Sequence, residues 1–395
     1  METSILNGIR VIDFTRVLAG PFATRCLADF GAEVIKIQSG KTAVGAESNT
    51  EGYFNIWNRN KRSILLDMSF PEAREIVLGL TSISDVVVEN FSPRVMGNWG
   101  LGFETLKSVK DDLIMLSMSG MGRSGPWKDY VAFGPTVQSL GGLSYLTSYS
   151  PDLPQGMGYS HADPVAGLYG ALAVLAALEY RDWTGEGQYI DLSEYEVVST
   201  LIGPALMDVL ENCRHAVPQG NRSDDLPAAP YGCHPCRGDD KWCVISVYEE
   251  RQWQALCRVM GRSEWGKADR FASVAERKTH AREIDDVIGG WTSRHRAEEV
   301  VEMLQAEGVS AGVVQDARGL ANDPQFRMRE FFVGLKHPVL GETVSDRSPV
   351  RFQNDTTADW KAAPLLGKDN RYVYAELLGF SEDKLSSYIE RGIIG

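Results

Sequence analysis

Arg10-Val11-Ile12-Asp13-Phe14-Thr15-Arg16-Val17-Leu18-Ala19-Gly20-Pro21 decides the fold of this chain. Arg10 to Phe14 reads as a strand, because Val, Ile and Phe suit a pleated, buried ladder. The stretch then turns through small residues, and Pro21 opens a helix to about Phe30. A strand that passes through a tight turn straight into a helix is the unit of an open α/β sheet. The unit recurs. Glu33 to Ile37, Ser63 to Asp67, Asp85 to Glu89 and Leu113 to Ser117 read as further strands, and Pro71 opens a helix to about Leu80 with Glu72 in its first turn. Short apolar strands between helices imply a parallel sheet covered on both faces. Gln188 to Leu192 adds another strand, followed by a helix to about Leu210. No internal repeat is evident.

Working outward, 395 residues exceed one ordinary domain. Residues 1–213 are expected to form a Rossmann-like large domain. Residues 214–240, rich in Pro, Gly, Asp and Arg, read as a linker or active-site loop that shields a reaction from water. Residues 241–332 read as a smaller α/β domain, with strands at 242–248 and 309–315 and helices at 249–260, 281–291 and 297–307. Residues 333–368 read as irregular. Helices at 369–378 and 381–391 then return the chain, so that 333–395 joins the large domain.

Hydrophobic content of 43% is that of a globular protein with a sizeable core. A net charge of −13 argues against general affinity for nucleic acid or anionic membrane, so an anionic ligand needs a local basic site. The N-terminus enters a strand pattern directly, and the apolar run around Ala171 to Leu178 is too short to span a bilayer. These features point to a cytoplasmic protein. Cys233-His234-Pro235-Cys236, with Cys243 nearby, invites a zinc reading, but a second ligand pair at matching spacing is missing. Reduced, partly buried thiols are expected instead, with no metal site.

Several stretches carry possible chemistry. The turn Thr15 to Pro21 sits where Rossmann-like folds bind phosphate, but it lacks G-x-G-x-x-G, which disfavours NAD. Asn58-Arg59-Asn60-Lys61-Arg62-Ser63 is a basic knot that either meets phosphates or forms a solvated turn. Asn90, Phe91 and Arg94 follow a strand at the sheet edge that holds ligands in open α/β folds. Ser119 to Gly125 and Phe133-Gly134-Pro135-Thr136 supply Gly-rich backbone whose N–H groups suit an oxyanion, or plain turns. Then comes Tyr159-Ser160-His161-Ala162-Asp163-Pro164-Val165-Ala166-Gly167. Asp before Pro marks a helix start with Asp163 as the cap, and the apolar run behind it implies a buried helix. A helix N-terminus favours the ionised carboxylate, which can then attack an activated acyl group. On these residues alone the favoured reading is that Asp163 is a cap and nothing more. His161 reads as a bystander.

Taken in order, these pieces resemble the class III CoA-transferase family, also called the CaiB/BaiF family. The resemblance rests on residues 8–13, 19–24, 31–36, 58–63, 88–91, 117–120, Ala162-Asp163, 185–188 and 364–367, and runs over nearly the whole chain. It implies two Rossmann-like halves plus a small domain, in a homodimer of interlocked rings or a heteromer with a homologue. It implies that Asp163 is the nucleophile. CoA is then expected along Val17, Leu18 and Ala19, near Ser39 and Leu66, and by Asn90, Phe91 and Arg94. Ser39 and Asn98 stand where some members carry Arg, with Arg94, Lys41 or Arg62 as substitutes for the phosphate contacts. Phe133 and Gly134, also counted with the CoA site, stand where the family's racemases have a His followed by an acidic residue. The expectation is a CoA-transferase that moves CoA from an acyl-CoA to a free carboxylic acid, with CoA thioesters as substrates and no permanently bound cofactor. A racemase-like enzyme and a CoA-binding subunit of a heteromer are the alternatives.

Overall fold

The computed structural model describes residues 4–222, 226–353 and 360–395. Residues 223–225 of the expected linker and 354–359 of the expected return segment lie outside the described residues. Two compact units result. The first comprises residues 1–144, 156–215 and 327–395, and the second 145–155 and 216–326.

The first unit is built on a six-stranded sheet: β1 (Arg10–Asp13), β2 (Glu33–Gln38), β3 (Arg62–Leu65), β4 (Val86–Glu89), β5 (Ile114–Ser119) and β6 (Tyr189–Ser193). The order is β3-β2-β1-β4-β5-β6 and every pairing is parallel. The chain leaves β1 first toward β2 and later crosses back to β4, so the sheet has its topological switch point between β1 and β4. Side chains alternate between two cores, as the period of two requires. Ile12, Ile35, Ile64, Val87 and Met115 pack with the Pro71–Thr81 helix and with Tyr374, Leu385 and Ile393 of the returning C-terminus. Val11, Val34, Val86, Val88, Ile114 and Leu116 pack with the Ala19–Asp29 helix and the Ala162–Thr184 helix.

Two glycines seat the Ala162–Thr184 helix. A side chain at Gly167 would meet Ala19 O at 2.8 Å and Phe22 Cδ1 at 2.9 Å, and one at Gly170 would meet Met118 Sδ at 3.0 Å. The helix therefore lies hard against the first helix and β5. By length and composition it is the one helix among the described residues that could cross a membrane, which the short apolar run did not suggest. It is also not buried all round: Leu168, Leu172 and Trp183 are 54, 63 and 79% exposed. The single helix expected after β6 is two, Glu194–Leu201 and Gly203–Asn212, broken where Pro204 removes a backbone donor. In place of an irregular 333–368 stretch, β10 (Phe332–His337) and β11 (Gly341–Asp346) form an antiparallel hairpin. Its prolines disguise a turn that Gly341 closes at φ 75°.

The second unit carries an antiparallel sheet in the order β7 (Tyr231–Pro235), β8 (Trp242–Ser246), β9 (Ser310–Val313), backed by helices Glu250–Val259, Ala281–Thr292 and Ala297–Ala306. Strand β7 lies inside the stretch read as a linker, where its Pro and Gly obscured the ladder it makes with β8. Cys236, Cys243 and Cys257 are buried with Trp253, Phe271 and Leu304. Burial pushes the Cys257 thiol up to about 12. His234 faces Cys243 across the ladder, and among the described residues no three His, Cys, Asp or Glu side chains converge to hold a metal ion.

Candidate functional site

The turn after β1 is staked to a buried charge cluster. Asp13 is fully buried, and its Oδ1 accepts from the Thr15 N–H (2.7 Å) and Thr15 Oγ1 (2.5 Å). Its Oδ2 accepts from Thr24 Oγ1 at 2.8 Å and Lys61 Nζ at 3.0 Å. Lys36 Nζ lies 3.8 Å from Asp13 and donates to Thr15 O at 2.6 Å. Burial opposes the Asp13 charge, but Lys36 and Lys61 with the two threonines hold its pKa down at about 2. Burial likewise pulls Lys61 down to about 7 despite Asp13. Two of the knot's three cations, Arg59 and Lys61, are thus buried structural groups, while Arg62 stays partly exposed. Arg59 is buried against Asp29 (2.6 Å) and Asp346 (2.7 Å). Arg62 is held by Glu33 (2.9 Å) and Asp369 (3.2 Å) and stacks on Tyr372.

Above this cluster, Val17 takes a left-handed φ of 67°. A β-branched residue there carries strain of about 1–3 kcal/mol. Its N–H donates to Glu47 Oε1 at 3.0 Å. Asn90 holds the neighbouring residue from the other side: its Oδ1 accepts from Arg16 N and its Nδ2 donates to Arg16 O, both at 2.8 Å. Asn90 therefore spends its amide on the turn. Gly20 permits the fit, since a side chain there would meet Thr15 Cβ at 2.5 Å.

A pocket of about 460 Å³ opens at this point, within the range of small-molecule sites. Phe14, Arg16, Ser39, Lys41, Leu66, Phe91 and Trp99 are among its walls. It lies at the carboxyl ends of β1 and β4, the switch point. Ser39, Leu66 and Phe91 are thus gathered in one place, with Lys41 beside them. Arg16, Lys36 and Trp99 join them without having been singled out. Phe91 packs edge-on to Trp99 at 5.4 Å. Lys41 is 72% exposed, its Nζ 2.8 Å from Asp67. Arg94 is not in this lining; it is exposed and pairs with Asp129 at 3.6 Å. Leu18 and Ala19 are buried at the start of the first helix.

Asp163 lies in the first turn of the Ala162–Thr184 helix, one turn before Gly167 and hence about 6 Å along the axis from the residue that touches Ala19. It is not the cap. That position is His161, which makes no side-chain cap bond. The cap comes from another helix: Gln138 Oε1, on Gly134–Leu140, accepts from the N–H groups of His161 and Ala162. A distant amide supplies the acceptor that the Asp-Pro pair was expected to supply, and this leaves the Asp163 carboxylate free.

The carboxylate rests on Gly134. A side chain at Gly134 would lie 2.0 Å from Asp163 Oδ2 and 1.6 Å from Ser160 Oγ. No acidic residue fits there. Phe133 beside it is 63% exposed. The Ser119 to Gly125 stretch is engaged elsewhere: Arg123 N donates to Asp191 at 3.1 Å and the Arg123 side chain pairs with Glu89. The helix N-terminus does not dominate the Asp163 charge. Burial raises its pKa to about 6, partly offset by its own backbone N–H. At neutral pH it is still largely ionised but poorly solvated, the state of a good nucleophile. Glu194, at the start of the Glu194–Leu201 helix, is buried, and burial followed by the Asp163 charge pushes it up to about 8. Burial and then Asp163 also raise Tyr53, to about 12, and Tyr159. Tyr53 feels Glu47 as well, which links Asp163 to the pocket wall. Sequence reading passed over Gln138, Ser160, Glu194 and Tyr53.

Comparisons with known proteins give the family. The chain is 33% identical over 397 residues to a succinyl-CoA–D-citramalate CoA-transferase of Chloroflexus aurantiacus, covering 98% of each chain. It is 31% identical to the beta subunit of a succinyl-CoA–L-malate CoA-transferase of the same organism, again over 98% of each. A crystal structure of a CaiB/BaiF family protein from Brucella suis superposes with a TM-score of 0.84 at 30% identity, covering 95% of this chain and 99% of that one. A family model for CoA-transferase family III matches residues 6–370. With a pocket at the switch point, a half-buried carboxylate at the start of the Ala162–Thr184 helix, and this match along nearly its whole length, the chain belongs to CoA-transferase family III and is a CoA-transferase.

Proposed function

We propose that the protein moves CoA from an acyl-CoA donor to a free carboxylate through covalent states of Asp163. The observation that carries this reading is the half-buried Asp163 carboxylate, packed on Gly134, whose pKa burial raises to about 6. Asp163 attacks the donor thioester, giving a mixed anhydride and CoA thiolate. The thiolate attacks the aspartyl carbonyl, releasing the donor acid and leaving an aspartyl-CoA thioester. The acceptor carboxylate reverses the two steps. One thioester is traded for another, so the exchange needs neither ATP nor a metal. CoA occupies the switch-point pocket, its nucleotide against Phe91 and Leu66 and its phosphates toward Arg16, Lys41 and the turn at Val17 to Ala19. Asn90 acts by holding that turn. Arg94 and Phe133 flank this path.

The racemase reading needs a base beside the thioester. Phe133 supplies none, and Gly134 has no room for an acidic partner. Residues 333–395 complete the large domain in this reading, and the subunits pair, as a homodimer of interlocked rings or as a heteromer. The exposed apolar face of the Asp163 helix supports pairing, and the relative that is a beta subunit supports the heteromer. The protein works in the cytoplasm.

Incubation with succinyl-CoA and a panel of acids (citramalate, malate, oxalate, formate, carnitine and benzylsuccinate) identifies the acceptor. Asp163→Asn keeps the size of the side chain and should abolish transfer while CoA binding stays near wild type. Transfer above a few per cent of wild type in that variant would remove Asp163 from the mechanism.

A further inference from the structure

We propose that the Ser160 hydroxyl is the oxyanion donor for the carbonyl of Asp163 itself, an inference that rests on Asp163 being acylated and then carrying CoA. In half of the steps the carbon under attack belongs to the protein. The CoA thiolate forms a C–S bond to the Asp163 carboxyl carbon, and the C=O pair moves onto Oδ2. As that pair returns, the C–O bond to the donor acid breaks and the acid leaves as its carboxylate. The acceptor carboxylate later attacks the same carbon and expels the thiolate through the same oxyanion. No proton or electron is gained or lost. An oxyanion that is part of the protein needs a donor inside the protein, not one facing the substrate.

Ser160 Oγ meets that requirement. It is buried, and no hydrogen-bond partner satisfies it. Ser160 Oγ and Asp163 Oδ2 lie 1.6 and 2.0 Å from one point beside the Gly134 backbone, which sets them at or just beyond contact with each other. A buried donor left unsatisfied is destabilising, so it calls for an explanation. A hydroxyl rotates to suit its acceptor, and negative charge growing on Oδ2 provides one during the reaction. Gly134 is what lets the two oxygens converge, because any side chain there displaces both.

The test compares wild type, Ser160→Ala, Ser160→Cys and Asp163→Asn in exchange of labelled succinate into succinyl-CoA, or into the donor that the acid panel identifies. Rapid quenching and intact mass follow the covalent states. Loss of an oxyanion donor slows exchange by about 100-fold. Ser160→Ala should show that loss with KM for the donor changed less than about twofold, and acyl-protein should build up at the expense of the CoA adduct. Ser160→Cys, which keeps a weak donor, should recover part of the rate. Melting curves matching wild type separate the effect from misfolding. Exchange by Ser160→Ala at the wild-type rate, with Asp163→Asn inactive, overturns the role of Ser160 alone. Exchange by Asp163→Asn overturns the nucleophile on which it rests.

Discussion

At the scale of the residue, two carboxyls feel one another: half-buried Asp163 and buried Glu194. Burial raises Asp163 to about 6, and burial with the Asp163 charge raises Glu194 to about 8. In the proposed mechanism attack requires ionised Asp163, so transfer should rise through about pH 6. Ionisation of Glu194 near pH 8 puts a second negative charge near Asp163, so on the same proposal transfer should fall there. Glu194→Gln should remove the alkaline limb and keep the acid one. A pH–rate profile unchanged by that substitution would detach Glu194 from the site. Stability moves with the same groups. Both folded-state values lie above the ordinary carboxyl values of 3.8 and 4.5, so the folded chain retains protons that the unfolded chain has released. Each group costs nothing below its unfolded value, costs more as pH rises, and reaches its full penalty above its folded value. Glu194→Gln should therefore melt higher than wild type at about pH 9 and match it at about pH 4.

At the scale of the element, the Ala162–Thr184 helix sets where Asp163 stands. Its position depends on Gly167, which admits Ala19 O and Phe22, and on Gly170, which admits Met118. A methyl at Gly167 would meet a backbone carbonyl at 2.8 Å, and neither helix has a flexible side chain there to yield. Gly167→Ala should cost about 1–3 kcal/mol of stability by overpacking, measured by denaturant titration. Because the same shift moves Asp163 relative to the turn at Val17 to Ala19, turnover should fall more than donor binding. Wild-type stability in that variant would show that the helices have slack. Gln138 belongs at this scale too. By capping the helix from a neighbouring element, it spares Asp163 a structural duty.

At the scale of the whole molecule, the first unit leaves an apolar helix face uncovered. Leu168, Leu172 and Trp183 are more than half exposed on a helix whose other side is core. Exposed apolar surface of this kind supports the proposed pairing of subunits. Leu172→Glu should leave the melting of the isolated subunit intact and convert the associated form to monomer, read by sedimentation. A wild-type protein that already sediments as a monomer, or a variant that associates unchanged, would refute that role for the face.

The sequence by itself determined the alternation of strand and helix, because short apolar runs such as Val11-Ile12 and Val86-Val87-Val88, and a turn of small residues, are local facts. It also singled out the turn after β1 and the Asp163 stretch, and Ser39, Leu66 and Phe91 lie in one pocket. The tertiary structure decided the charges. Lys61 finds Asp13 from 48 residues away and Arg59 finds Asp346 from 287, so two cations of a run that reads as a surface patch are buried and paired. It also decided the cap, since Gln138 stands 24 residues before Ala162. Strand β7 and the β10–β11 hairpin were hidden by prolines whose cost appears only where a ladder needs the missing donor. Periodicity is encoded along the chain, whereas the partner of a buried polar group is chosen by whatever the fold brings within hydrogen-bonding distance.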